Sequence, residues 1–175
     1  LQVTRDMYAV GFFLQGELGG RGFVKGIGRL SDPGILFRVS AGYELTSWLA
    51  VATLVSLSFH ETDAPAPPSA TTFQVYDVAA QLRAQLPLST RAALYLAGEV
   101  GFAWASGDFL PAWGVADADE AALAYGGSIG FDWHLLNAHH SLGARAGAKL
   151  YPGFETLAGE TSIGLEGVLY LKYVF

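Results

Sequence analysis

The segment Thr161-Ser162-Ile163-Gly164-Leu165-Glu166-Gly167-Val168-Leu169-Tyr170-Leu171-Lys172-Tyr173-Val174-Phe175 has two different faces at a period of two. Ile163, Leu165, Leu169, Leu171, Tyr173 and Phe175 share one face. Gly164, Glu166, Val168, Tyr170 and Lys172 share the other. Side chains alternate across a β-strand, so this spacing predicts a strand with one apolar and one polar face. Both charges of the segment fall on the polar side.

Working back toward the N-terminus, the same period recurs seven more times. The first segment is Tyr8 to Leu18, with Tyr8, Val10, Phe12, Leu14 and Leu18 apolar against Gly11, Phe13, Gln15 and Glu17. The others are Ile35 to Leu45, Leu49 to His60, Phe73 to Leu86, Ala92 to Ala105, Leu123 to Leu135 and Ser141 to Tyr151. Each has about the length of a tilted strand crossing a bilayer, roughly 9–11 residues. Short turns are expected at Thr46-Ser47, Pro87 to Arg91 and Leu136 to His140. Long loops are expected at Gly19 to Gly34, Glu61 to Thr72, Ser106 to Ala122 and Pro152 to Glu160. Short turns at one end and long loops at the other is the layout of an outer-membrane barrel.

Composition points the same way. Of 175 residues, 51% are apolar and only 15% are charged, against about a quarter in soluble domains. The longest apolar run, Trp48 to Phe59, is interrupted by Thr53, Ser56 and Ser58, so no stretch reaches the ~18 residues of a membrane helix. A membrane-spanning chain without such helices must close as a barrel. There is no cysteine, which excludes disulfides and thiolate chemistry. The net charge of −6 argues against a nucleic-acid partner. The chain begins without a secretion signal, so Leu1 is read as the start of a mature or trimmed form, with residues 1–7 as a periplasmic segment and 8–175 as the barrel.

The eleven charges within the eight segments give a sharper test. They are Glu17, Arg38, Glu44, Asp77, Arg83, Glu99, Asp132, Arg145, Lys149, Glu166 and Lys172, and all lie on the polar face. A Lys or Arg facing lipid at mid-depth costs about 2–4 kcal/mol. The polar face is therefore expected to line a lumen too narrow for a wide channel, where these charges pair as a structural plug. A soluble sandwich would present them to water and use shorter strands. Aromatics gather near both ends of the apolar face: Tyr8, Tyr43, Trp133, Tyr173 and Phe175 near the turns, and Phe37, Phe59, Phe102, Trp104 and Tyr125 near the loops. Two such girdles match the two membrane interfaces.

The closing residues Leu169, Leu171, Tyr173 and Phe175, with phenylalanine last and tyrosine third from last, resemble the insertion signal of outer-membrane barrels. The resemblance implies recognition by the barrel-assembly machinery. With the eight segments, the whole chain resembles the small OmpA, OmpW and OmpX barrels. It implies an all-β, eight-stranded antiparallel transmembrane up-and-down barrel, with both termini in the periplasm. No peptidoglycan-binding domain follows, so anchoring of the OmpA kind does not carry over. Four stretches, Ser31 to Gly34, Ala64 to Pro68, Phe73 to Tyr76 and Tyr173 to Phe175, are similar to myxobacterial outer-membrane proteins of adventurous gliding motility. That similarity implies other barrels and lipoproteins of a motility complex as partners.

Candidate chemistry is sparse. His139-His140-Ser141 invites a lipid-deacylase reading, but it falls at a short turn and no acid partner is identifiable. His60 and His134 are expected at opposite barrel ends, which leaves no metal cluster. Gly19-Gly20-Arg21-Gly22 lacks the strand-to-helix setting of a phosphate loop. Arg21, Lys25 and Arg29 in the first loop could meet lipopolysaccharide phosphates, or pair with loop acids. Asp117, Asp119 and Glu120 could hold calcium weakly. Phe109, Leu110 and Trp113 are unusual in an exposed loop and suggest partner contact. The expectation is a non-enzymatic scaffold or docking protein without cofactor, in contact with outer-membrane lipid and lipopolysaccharide. A lipid-modifying enzyme and a narrow channel are the alternatives.

Overall fold

The computed structural model describes residues 11–62, 72–106, 120–135, 139–154 and 160–175. Eight strands follow in chain order: β1 (Phe12–Val24), β2 (Gly34–Thr46), β3 (Leu49–Glu61), β4 (Thr72–Pro87), β5 (Ala92–Ser106), β6 (Ala122–His134), β7 (His140–Tyr151) and β8 (Ser162–Val174). Each pairs antiparallel with its sequence neighbours, and β8 pairs with β1, so the sheet closes into a barrel. Closure leaves no strand edge unpaired, which the hydrocarbon of a bilayer requires.

The register fixes the tilt. A path of paired residues runs Phe13, Gly42, Ala52, Gln81, Glu99, Gly126, Lys149, Gly164 and back to Phe23. It returns to β1 ten residues beyond its start, and such a stagger tilts the strands by about 40°. Eight strands at this tilt enclose a space that side chains fill.

Burial follows the predicted parity throughout. Phe12, Leu14, Leu18, Phe37, Val55, Leu96, Ile129 and Leu169 point outward, while the alternate residues are buried. Aromatics of the outer face meet near the ends: Phe12 with Phe175 at 5.6 Å, and Phe37 with Phe59 at 6.4 Å. Phe175 lies just past the end of β8, yet its N–H still donates to the Phe12 carbonyl. Tyr8 and Val10 lie outside the described residues.

The first strand departs from its expected length. It runs six residues past Leu18, to Val24, so Gly19 to Val24 is wall and not loop. Three glycines made this stretch look like a turn. In a ladder paired on both sides, with Gly19 against Leu36 and Val168, the neighbours supply the order that glycine lacks. The loop then shrinks to a single 3-10 turn, Gly26–Arg29, folded inward over the barrel mouth. Ile27 on this turn is 0% exposed. It joins Phe23, Phe73, Tyr151 and Phe154 in an apolar cluster that fills the long-loop end.

The turn is entered through unusual backbone. Lys25 has φ 62° and ψ 176°, a region open essentially to glycine alone and worth on the order of 1–3 kcal/mol of strain. Gly26 follows at φ 49°, where a Cβ would meet Ser162 Oγ at 2.1 Å. Burying an isoleucine side chain contributes about 1.5–3 kcal/mol, enough to offset the strain.

Candidate functional site: a charge-filled lumen

The lumen is built in layers by the inward residues of all eight strands. All eleven of the predicted lumen charges, Glu17, Arg38, Glu44, Asp77, Arg83, Glu99, Asp132, Arg145, Lys149, Glu166 and Lys172, are buried there. Arg21 joins them. It was expected in a loop beside Lys25 and Arg29, but the extension of β1 keeps it on the parity of Phe13, Gln15 and Glu17. Its guanidinium binds Asp77 at 2.7 Å and Glu166 at 2.6 Å. Among the described residues the interior therefore holds six bases and six acids, not five and six, and these charges sum to zero.

These twelve groups divide into two clusters, each balanced in itself. The larger one lies below the aromatic mouth and joins Arg21, Arg38, Arg145 and Lys149 to Glu17, Asp77, Glu99 and Glu166. Glu166 is its hub: besides Arg21 it accepts from Arg38 at 2.6 Å and from Arg145 at 3.1 Å. Arg145 also reaches Glu17 at 3.0 Å and Glu99 at 3.1 Å. Lys149 binds Asp77 at 3.2 Å. Neutral donors complete the shell, with Ser56 on Asp77, Gln15 on Glu17 and Gln81 on Glu99. The smaller cluster, nearer the short turns, joins Arg83 to Asp132 and Lys172 to Glu44 at 3.1 Å. Buried charges persist only when paired in this way, because an uncompensated one loses several kcal/mol of hydration.

Two tyrosines separate the clusters. The Arg83 guanidinium lies 3.6 Å from the Tyr95 ring centroid, and the Tyr170 hydroxyl donates to Asp132. Both rings lie across glycines. A Cβ on Gly130 would meet Tyr95 Cζ at 2.2 Å, and one on Gly143 would meet Tyr170 Cζ at 2.1 Å and the Phe131 carbonyl at 2.4 Å. Gly143→Val should therefore destabilise the barrel by about 1–3 kcal/mol through overpacking. Gly167→Ala, on the outer face with nothing within 4 Å, should be close to neutral. Urea unfolding of the two variants checks the contrast.

The remaining candidates are scattered. His60 sits at the long-loop end, with its ring nitrogens near the Asp32 carbonyl (3.1 Å) and Ser58 Oγ (2.9 Å). His134 sits at the short-turn end, 2.9 Å from Ser141 Oγ. The sequence grouped Ser141, the first residue of the seventh segment, with the adjacent His139 and His140. The structure keeps it in β7 but sets it opposite His134, while His139 and His140 pack on Tyr173. Ser141 is 1% exposed and lies at the end opposite the long loops. Arg29 pairs with Glu160 at 2.7 Å, and Lys25 is exposed. Phe109, Leu110, Trp113, Asp117 and Asp119 lie outside the described residues. Among the described residues no group of three His, Asp or Glu side chains is arranged to hold a metal.

No protein-family model matches the sequence, and neither does any curated protein. Solved structures do match. Neisserial surface protein A is 19% identical, over 95% of this chain and 99% of that one, with a TM-score of 0.68. The outer membrane protein OprG from Pseudomonas aeruginosa is 13% identical, over 95% and 96%, with a TM-score of 0.61. The Yersinia pestis outer membrane protein Ail is 16% identical, over 94% and 99%, with a TM-score of 0.50. At these identities the likeness is one of fold. With its apolar outer belt, the chain is a transmembrane eight-stranded barrel of the bacterial outer membrane.

Proposed function

We propose that this barrel conducts no ions and acts as a docking or scaffold subunit, through its long loops and outer wall. The observation that carries the reading is the filled lumen: twelve mutually balanced charges, a tyrosine layer and an apolar mouth occupy the space a pathway would need. Strands that enclose no path leave the external surface to do the work in this reading. In this reading the short turns and both termini face the periplasm, and the long loops face lipopolysaccharide. Gliding motility as the assembly served rests on sequence resemblance alone.

A hydrolase reading draws on the Ser141–His134 hydrogen bond. It meets two difficulties: Ser141 is buried, and it lies far from the outer leaflet where a lipid would be cut. The channel reading meets the ion pairs of Arg38 and Arg145 with Glu99 and Glu166. Extraction in mild detergent, with bound proteins identified, separates the readings. The docking role predicts a co-purifying envelope protein and no steady current in planar bilayers. A lone barrel with steady conductance would overturn it.

A further inference from the structure

The inward turn Gly26–Arg29 differs in kind from the wall it covers. The wall is held by antiparallel ladders of backbone hydrogen bonds around the whole barrel. The turn is held by the burial of Ile27 with Leu30 packed beside it, by the Arg29–Glu160 ion pair and by a few side-chain bonds. The Ile27 N–H donates to Ser162 Oγ at 3.0 Å, and that hydroxyl donates on to the Phe154 carbonyl at 2.7 Å. Ser31 Oγ donates to the Ile27 carbonyl at 3.0 Å. Immediately before the turn, Lys25 holds a backbone conformation that L-residues avoid. Strained non-glycine residues persist only where surrounding contacts hold them, and they gather at switch segments.

We infer that this turn is a strained lid, opening and closing over the barrel mouth with Lys25 and Gly26 as its hinge. Closure buries Ile27 against Phe23, Phe73, Tyr151 and Phe154. Opening relaxes Lys25 and releases only local contacts, which makes it a local event and not a global one. The strain at Lys25 opposes the burial of Ile27, so closure is less favoured than its contacts alone would make it. An open lid uncovers an aromatic cup floored by Arg21, whose guanidinium carbon lies 5.7 Å from the Tyr151 ring centroid. The ion clusters beneath stay paired, so opening the lid does not open the lumen.

The absence of cysteine allows a clean test. Ala124, 0% exposed in the wall of the cup, is replaced by cysteine in the full chain. A charged methanethiosulfonate reagent then reports access from the aqueous side, with folding checked by heat-modifiable gel migration. Adding Ile27→Ala should speed labelling at least tenfold. Adding Lys25→Gly, which removes the strain of the closed state, should slow it several-fold. Should Ile27→Ala fail to fold, Ile27→Val should shift the rate the same way by less. Equal rates in all backgrounds, faster labelling with Lys25→Gly, or labelling no faster than global unfolding would each overturn the lid.

Discussion

Glu166→Gln should lower the stability of the folded barrel by about 3–5 kcal/mol, the usual loss when one partner of a buried ion pair is removed. Glu166 accepts from Arg21, Arg38 and Arg145 at once. Asp77, Glu17 and Glu99 remain, so four bases would then face three acids. The surplus positive charge has no route to water through a lumen closed by the aromatic mouth above and the tyrosine layer below. Reversible urea unfolding in lipid vesicles measures the loss. Arg38→Gln in the same chain restores the balance and should recover part of it, since residues sharing a network are not additive. A loss below about 1 kcal/mol for Glu166→Gln, which is typical of solvated pairs, would mean that the lumen is wet and the plug reading wrong.

Leu169→Arg should cost about 2–4 kcal/mol, the range for a basic residue facing lipid near the bilayer midplane. Leu169 is 69% exposed and stands between Leu18 and Ala144 on the outer wall, midway along β8. Leu45→Arg, on the same outer face but beside the short turn at Thr46, should cost between about 0 and 1 kcal/mol. This depth dependence is what lipid imposes and water does not. Two equally small losses in the same unfolding assay would mean that the outer face does not sit in hydrocarbon, and would sink the membrane assignment itself.

Arg21 shows how far the parity of a strand reaches. Arg21 keeps the odd numbering of Phe13, Gln15 and Glu17, and six acids against five bases left one charge unmatched in a closed space. Both signals pointed to Arg21 in the lumen. They were outweighed by Gly19, Gly20 and Gly22, which locally favour a turn. Ser141 is a second case. Its neighbours His139 and His140 suggested the pairing, but strand register chose His134, because partners across a ladder are set by the turn and not by adjacency.

The amino-acid sequence by itself determined the closed eight-stranded architecture, the inner and outer face of every strand, and the confinement of charge to the lumen. These follow from a period of two acting against a hydrocarbon solvent, a constraint that each residue meets locally. Only the tertiary structure decided which base meets which acid, that the charges form two neutral clusters parted by Tyr95 and Tyr170, and that the first loop turns inward on Ile27. Those outcomes depend on the ten-residue stagger of the closed barrel. The stagger brings residues more than a hundred positions apart, such as Arg21 and Glu166, to within a hydrogen bond, and no spacing along the chain encodes that distance.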